Sequence, residues 1–378
     1  MKNLVFCGMI GVLILLAACE SGTSNVNLHL GEKLANVQFT FERKDNEIKE
    51  VSWNADGTML ATTGNNSFSI WNTTTGTLMY TIVGKSPQTE VHVCWSPDGT
   101  RIATSNDEYA PAGFDIGLIS IRNAKDGSVI WTMGERITLA TPKCMSWSAD
   151  GAYLATTELG RINIWNPDKG YLYNTLQGHT DIINQLFWNT KNHTSVSASH
   201  NEIIVWRSPT NDKMLTLNGH SSWIKDIDVS SDETRVVSGS MDKTAIIWDI
   251  ATGRKLFTLV GHTQDINVVK WSPDCSKIVT GSYDGGSIIW DASNGTQLFR
   301  LDGSDQVTST VAWSPDGKKV AMNSWDEASV WDASTGKKTL TLTGHTEGIT
   351  TLCWSPDGKR IATGSSDGTI KIWFVEEE

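Results

Sequence analysis

The chain alternates short apolar runs with turn-forming residues, and the pattern is clearest near its end. Residues 344–373 read GHTEGITTLCWSPDGKRIATGSSDGTIKIW. They hold three apolar runs, Ile349–Trp354, Arg360–Gly364 and Thr369–Trp373, separated by Ser-Pro-Asp-Gly and Ser-Asp-Gly. Proline fixes φ and glycine supplies a positive φ in such turns, so runs this short predict antiparallel strands rather than helices. A unit of this size needs copies of itself beside it to bury its apolar face.

The unit recurs eight times along the chain. Its third strand ends at residues spaced 41 to 51 apart, namely Trp71, Arg122, Trp165, Trp206, Trp248, Trp290, Trp331 and Trp373. The first strand ends in tryptophan in every unit except the fifth, which has Val229. A fourth strand follows most units, as at Leu78–Val83 and Lys338–Leu342. The sequence therefore predicts repeated four-stranded antiparallel sheets.

A period near 42 residues, with Gly-His before the unit and Trp-Asp at its end, resembles the WD40 repeat family. The Gly-His pairs begin at Gly178, Gly219, Gly261 and Gly344, and the Trp-Asp pairs at Trp248, Trp290 and Trp331. The resemblance runs from about residue 35 to residue 378 and implies an all-β fold, a β-propeller with four antiparallel strands in each blade.

The repeat count predicts eight blades, and a seven-bladed ring with one unit displaced is the alternative. Only five residues follow Trp373, so the last unit lacks an outer strand of its own. The segment Ala35–Glu42 has a strand pattern and precedes the first unit. We expect it to complete the last blade and fasten the two ends of the ring, as the family commonly does, which removes an exposed sheet edge.

Three units carry histidine, aspartate and tryptophan in strict register, at intervals of 22 and 6 residues. The sets are His220, Asp242 and Trp248; His262, Asp284 and Trp290; and His345, Asp367 and Trp373. The resemblance implies a structural hydrogen-bond chain from Asp through His and a strand hydroxyl to the indole, and donor and acceptor types agree with it. The fourth unit has Asn201 where Asp is expected, and the first three units lack Gly-His. We therefore expect the first blades to be less rigid.

The sequence contains no arrangement typical of an enzyme. Candidate His and Asp residues recur once per unit, whereas catalysis needs convergence, and no HExxH, GxSxG, phosphate-loop or EF-hand spacing is present. We predict no catalytic residue, no cofactor and no metal. A net charge of −11 argues against a nucleic-acid partner. Two alternatives remain: an envelope propeller that binds a glycan or small ligand and, less favoured, a cofactor-dependent propeller enzyme.

The first residues, MKNLVFCGMIGVLILLAAC, have the pattern of an export signal. Leu16–Cys19 resembles the lipobox of bacterial lipoproteins, which implies a signal peptide over residues 1–18 and a lipid on Cys19. Residues 19–34 then form the lipidated cysteine and a flexible tether, and 35–378 the propeller. This predicts a membrane-anchored protein of the cell envelope that faces the periplasm or the exterior. An ordinary secretory signal with an accidental cysteine is the alternative.

The resemblance places Met241, Tyr283 and Trp325 on the top face of the propeller, and Trp223 extends the same patch. Exposed Met and large aromatic residues are typical anchors of protein interfaces. A second candidate is the insertion Asn106–Gly117, which contains Tyr109 and Phe114. The alternatives are packing against neighbouring loops for the first group and a disordered spacer for the second. We therefore expect a monomeric propeller that serves as a scaffold for a protein partner.

Overall fold

A computed structural model describes residues 35–43, 47–84, 91–105, 119–133, 142–188, 194–207, 212–302 and 307–375. These residues lie within 32–378, the larger of the two compact units of the chain. The predicted signal peptide, Cys19 and the tether are outside the described residues. The described secondary structure consists of strands. Among these residues no helix has the length and apolar character needed to cross a membrane.

The strands form eight four-stranded antiparallel sheets. Those of blades 1–4 are β2 (Glu50–Trp53), β3 (Met59–Thr63), β4 (Ser67–Asn72), β5 (Thr77–Val83); β6 (Val93–Trp95), β7 (Arg101–Ser105), β8 (Ile119–Asn123), β9 (Val129–Met133); β10 (Met145–Trp147), β11 (Leu154–Glu158), β12 (Arg161–Asn166), β13 (Tyr171–Gln177); and β14 (Gln185–Trp188), β15 (Thr194–Ala198), β16 (Glu202–Arg207), β17 (Asp212–Asn218).

Blades 5–8 continue the order. Their strands are β18 (Ile224–Val229), β19 (Arg235–Ser240), β20 (Thr244–Asp249), β21 (Lys255–Val260); β22 (Ile266–Trp271), β23 (Lys277–Ser282), β24 (Gly286–Asp291), β25 (Gln297–Asp302); β26 (Val311–Trp313), β27 (Lys319–Ser324), β28 (Glu327–Asp332), β29 (Lys338–Leu342); and β30 (Ile349–Trp354), β31 (Arg360–Ser365), β32 (Thr369–Phe374), with β1 (Asn36–Glu42) as the outer strand.

Each blade contacts the next through its inner strand, and β2 contacts β30, so the sheets close into a ring. The protein is an eight-bladed β-propeller. The predicted number of blades is confirmed, and the seven-bladed alternative is wrong. The core consists of apolar side chains between neighbouring blades, such as Ile246 and Trp248 packed with residues of blade 4.

The ring closes non-covalently, as the sequence predicts. Strand β1 pairs antiparallel with β32, with Val37 opposite Trp373 and Phe41 opposite Ile370. The Phe41 ring also stacks on Trp71 of blade 1, with centroids 4.5 Å apart. The N-terminal strand therefore completes blade 8 and packs against blade 1 at the same time.

The tryptophans that end the inner strands join neighbouring blades. In five of them the indole N–H donates to a backbone carbonyl of the preceding blade over 3.1–3.2 Å: Trp95 to Ser52, Trp147 to Cys94, Trp271 to Asp228, Trp313 to Lys270 and Trp354 to Ala312. Each bond satisfies a donor that is otherwise costly to bury. The recurring Trp of the sequence is thus a contact between blades as well as a core residue.

Blade 5 has Val229 at this position and adds a polar contact to blade 6. The carboxylates of Asp226 and Asp228 accept the backbone N–H groups of Val269 and Trp271 over 3.0 and 2.7 Å. Lys270 forms an ion pair with Asp226 over 2.8 Å. Burial raises the pKa of Asp228 to about 6, and Lys270 opposes the shift. The two carboxylates of blade 5 thus accept hydrogen bonds from backbone N–H groups of the inner strand of blade 6.

Candidate interaction face

The upper face of the ring is the end formed by two kinds of segment: the turns between the second and third strands of each blade, and the loops from each outer strand to the next inner strand. These segments lie at one end because neighbouring strands are antiparallel. The Ser-Pro-Asp-Gly turns lie at the opposite end. The segments of the upper face include four of the predicted partner-binding residues, Trp223, Met241, Tyr283 and Trp325, and the histidines of the Gly-His pairs.

Hydrogen-bond chains connect this face to the core. In blade 5, His220 Nδ1 lies 2.8 Å from Asp242 Oδ2, and His220 Nε2 lies 2.8 Å from Ser238 Oγ. The Trp248 indole N–H donates to the same hydroxyl oxygen over 2.9 Å. Blades 6 and 8 repeat the chain over 2.8–3.0 Å with His262, Asp284, Thr280 and Trp290, and with His345, Asp367, Thr363 and Trp373. Each chain ties an upper-face turn to a buried strand.

Blade 4 completes the chain with a residue that the sequence analysis missed. His179 Nδ1 lies 3.0 Å from Glu202 Oε1, and its Nε2 lies 2.7 Å from Ser197 Oγ. The Trp206 indole donates to Ser197 over 2.8 Å. Glu202, one residue after Asn201, thus supplies the carboxylate that Asn201 lacks. The longer Glu side chain compensates for the shift of one position, which a fixed spacing does not detect.

Burial sets the protonation of these chains. It lowers the pKa of His220, His262 and His345, and the hydrogen bonds that these imidazoles donate to their Asp partners oppose this shift. Burial opposes ionisation of Asp367, but hydrogen bonds from Thr369 and from a backbone amide outweigh it and lower its pKa to about 2. A neutral imidazole can then donate Nδ1–H to the carboxylate and accept the hydroxyl proton at Nε2, while the hydroxyl oxygen accepts the indole N–H. All these groups are satisfied without a ligand.

Three of the predicted anchors are exposed on the upper face. The exposed fractions are 53% for Trp223, 48% for Tyr283 and 58% for Trp325, which belong to blades 5, 6 and 7. Met241 is half-buried, and its backbone N–H donates to the Trp223 carbonyl over 2.9 Å. The insertion with Tyr109 and Phe114 lies outside the described residues. The exposed anchors are therefore aromatic and lie on three consecutive blades.

Trp325 is held outward by an unusual backbone. Its φ is 56°, in the left-handed region that a bulky side chain rarely adopts. Its carbonyl accepts the backbone N–H of Ile349 over 2.6 Å, and its ring lies against Gly348. The turn of blade 7 is thereby bonded to the loop that leads into blade 8. Strained residues of this kind concentrate at functional positions.

Trp223 is supported by a stack that the sequence analysis did not anticipate. The His200 ring from blade 4 lies parallel to the Trp223 indole, with centroids 4.0 Å apart and an interplanar angle of 13°. The carboxylate of Asp181 contacts His200 Nδ1. No repeat spacing links these residues, because they come from different blades. The stack supports an indole that is more than half exposed.

Metal ligands and thiols are the groups of the described residues that bear most directly on catalysis. Among them, no group of three or more His, Cys, Asp or Glu side chains is arranged to hold a metal ion. Burial raises the pKa of the Cys94, Cys144 and Cys353 thiols to about 12. A thiol must ionise to act as a nucleophile, so these three are unreactive at neutral pH.

Four segments match the WD domain, G-beta repeat (WD40) family, at residues 35–72, 211–249, 253–291 and 336–373. They amount to less than half of the chain. Two of them contain the hydrogen-bond sets of blades 5 and 6, and a third contains that of blade 8. Together with the ring of eight four-stranded blades, these matches support a WD40 β-propeller.

Curated relatives match part of the chain. Apoptotic protease-activating factor 1 of Danio rerio is 24% identical over 191 residues, 49% of this chain and 15% of that protein. Cell division cycle 20.6, cofactor of APC complex, of Arabidopsis thaliana is 25% identical over 213 residues, 53% of this chain and 47% of that protein. Protein FIZZY-RELATED 1 of Arabidopsis thaliana is 29% identical over 153 residues, 39% and 31% of the two chains. The chain spans less than half the length of each.

Solved structures match more of the chain. The C-terminal WD40 domain of Sif2 has a TM-score of 0.78 and 19% identity, covering 92% of this chain and 99% of that chain. The computationally designed Ika8 protein has a TM-score of 0.75 and 22% identity, covering 90% and 99%. At this level of identity both similarities concern the fold.

Proposed function

We propose that this protein is a noncatalytic scaffold, anchored by lipid at a bacterial cell envelope, that binds a protein partner through its upper face. The observation that carries the proposal is the set of three half-exposed aromatic residues, Trp223, Tyr283 and Trp325, on consecutive blades. Large aromatic side chains in fixed positions are the usual hot spots of protein interfaces. The hydrogen-bond chains of blades 5 and 6 hold the surrounding turns rigid, which reduces the entropy lost on binding.

The relatives agree with a role in assembly. One is named as a cofactor of a complex, and the matched segments are WD40 repeats. The support for the anchor comes from the sequence alone: a short apolar segment that ends in Leu16-Ala17-Ala18-Cys19. More than one acyl chain on Cys19 would give stable attachment to a membrane, whereas a single chain binds only marginally.

The test of the binding face compares two double variants in cells of the host. Tyr283→Ala with Trp325→Ala removes two anchors, and Leu256→Ala with Leu298→Ala removes exposed apolar residues from the outer strands of blades 5 and 6. After crosslinking and affinity capture, we expect a stoichiometric partner whose recovery falls about tenfold or more with the first pair and is unchanged with the second. Equal recovery with both pairs would contradict the proposal. Co-purification of a glycan without protein would favour the ligand-binding alternative.

The anchor has a separate test. Mass spectrometry of the protein extracted from membranes should show acyl chains on an N-terminal Cys19. The Cys19→Ala variant should lose the lipid and fail to be processed at this site. An unmodified Cys19 in the wild-type protein would rule out the anchor and leave the upper-face proposal standing.

A further inference from the structure

The outer strands of the blades differ in charge around the ring. Those of blades 1–3, β5, β9 and β13, contain no charged residue. Every outer strand of blades 4–8 contains at least one, such as Lys213, Lys255 or Lys338. Charged residues, lysine above all, are the usual protection of an exposed strand edge. The unprotected strands lie side by side on three consecutive blades.

The same three strands expose large apolar side chains. The exposed fractions are Leu78 49%, Val83 63%, Val129 42%, Ile130 44%, Trp131 41%, Tyr171 45%, Leu172 38% and Tyr173 42%. Two of the aromatic residues are held by neighbouring side chains or backbone. Trp131 packs against Gly170 of the next blade, and the ring centroids of Tyr173 and Tyr153 are 5.1 Å apart. We call this surface, formed by β5, β9 and β13, the apolar rim. An apolar surface of this extent marks a binding site for a protein or a membrane.

The path of the chain indicates which of these covers the apolar rim. Ala35 directly precedes β1, the outer strand of blade 8, and blade 8 adjoins blade 1. The Ala35 N–H donates to the carbonyl of Thr341 in the outer strand of blade 7 over 3.1 Å. Ala35, the first described residue, therefore lies at the circumference of the ring, one blade away from the apolar rim. Fifteen residues separate Cys19 from Ala35, and a flexible segment of that length spans about 20 Å.

We propose that the apolar rim rests on the lipid bilayer that holds the anchor, an inference that depends on the proposed lipidation of Cys19. Trp131, Tyr171 and Tyr173 are of the residue types that favour the headgroup region of a bilayer. The open edges of β5, β9 and β13 still need water for their backbone groups, so the rim lies at headgroup depth and does not enter the hydrocarbon. The short tether keeps the rim close to the bilayer surface, so weak contacts are enough to hold the rim against it.

This orientation separates the two surfaces of the molecule. Blade 2, at the centre of the apolar rim, and blade 6, which carries Tyr283, are four blades apart in a ring of eight, which is half a turn. A propeller that rests on its apolar rim therefore holds the aromatic residues of blades 5–7 on the side away from the bilayer. The charged outer strands of blades 4–8 then face water. The net charge of −11 predicts weaker contact with anionic than with zwitterionic bilayers.

The experiment uses the full, lipidated protein in phosphatidylcholine vesicles and in detergent, with hydrogen exchange of the outer strands as the readout. We expect amides of β9 and β13 to exchange about tenfold more slowly on vesicles, and amides of β21 and β25 to change less than twofold. Ile130→Lys with Leu172→Lys should abolish the slowing. The matched pair on the opposite circumference, Leu256→Lys with Leu298→Lys, should leave it intact.

The outcomes separate the rim from the anchor. A lipidated protein with no slowing in β9 and β13 would overturn the rim proposal and leave the anchor in place. If Cys19 carries no lipid, an N-terminal histidine tag and a nickel-chelating lipid hold the protein on the vesicle, and the same exchange pattern decides. Slowing of β9 and β13 without vesicles, together with a dimer in sedimentation, would show that a second copy covers the rim and would also overturn the proposal.

Discussion

Blades 1–3 and blades 5–8 share one backbone plan but differ in what they add to it. The later blades carry three of the four described hydrogen-bond chains and the exposed aromatic residues of the upper face. The first three lack Gly-His pairs and carry the uncharged outer strands. The repeat thus accounts for the fold, while departures from the repeat coincide with the two surfaces for which we propose contacts.

The comparison also shows that the chains are not needed to form a blade. In blades 1 and 3 the indole N–H of Trp71 and of Trp165 donates to a strand threonine, Thr62 or Thr156, over 3.0 and 2.9 Å. The buried donor is therefore satisfied without a histidine. What the histidine adds is a bond from the strand to the upper-face turn. We infer that the chains of blades 5 and 6 serve to fix the turns beside Trp223 and Tyr283, two of the residues proposed to bind a partner.

The largest expected effect comes from removing one of these histidines. His220→Ala removes the two hydrogen bonds that join Asp242 to Ser238 through the buried imidazole, so we expect a loss of roughly 2–3 kcal/mol in the free energy of unfolding. His92→Ala in blade 2 removes a partly exposed pair with Glu50, 2.9 Å long, and should cost about 1 kcal/mol or less. Urea denaturation of both variants measures the difference. Equal losses would show that the buried chain contributes nothing beyond a surface pair.

Lowering the pH should destabilise the blades that contain a buried histidine more than those that lack one, by less than the loss expected for His220→Ala. The folded pKa of His345 lies below its unfolded value, so the stability that it supports is complete above about pH 6.5 and falls as the unfolded chain takes up a proton. Asp367, with a pKa of about 2 against the ordinary 3.8, adds a second loss as the pH falls from about 4. We expect amides of β31 and β32 to lose protection between pH 7 and pH 4.5.

Hydrogen exchange, corrected for the intrinsic effect of pH, measures this change. Strands β3 and β4 of blade 1, which lack the histidine, serve as the internal control. Asp228 has the opposite sign: its raised pKa of about 6 makes stability fall as pH rises from about 4 to 6, and blade 5 is therefore not the place to measure. Uniform loss of protection in blades 1 and 8 would contradict the assignment.

Most of the fold could be predicted because the same pattern of strands and turns occurs eight times in the sequence. Strand periodicity, turn residues and the lone segment Ala35–Glu42 together predict the blade count and the closure, and the pairing of β1 with β32 agrees. The carboxylate of blade 4 was missed because Glu202 lies one residue after the expected position and its longer side chain still reaches His179. A strict spacing rule assumes one side-chain length.

Contacts between blades were harder to predict. The stack of His200 on Trp223, and the carboxylates of Asp226 and Asp228 on the amides of blade 6, join residues about 20 to 45 positions apart that share no motif. The uncharged outer strands are readable in the sequence, but their exposure depends on which neighbour covers each side chain. Such features follow from the ring as a whole.

The smallest predicted effect concerns the turn between the first and second strands, whose backbone is more strained in blade 6 than in blade 1. Cys275 has a φ of 60°, whereas Gly57 has a φ of 71° at the same position of blade 1. A side chain in this region costs energy that glycine does not. Cys275→Gly should therefore stabilise the protein by about 1 kcal/mol, less the weak contact of its thiol with Ser231 at 3.0 Å.

Gly57→Cys should destabilise it by at least as much, since an added Cβ would also lie 3.3 Å from Pro356 of blade 8. Thermal or urea unfolding of the two variants measures both signs, and destabilisation by Cys275→Gly would show that the thiol contact outweighs the strain of the turn.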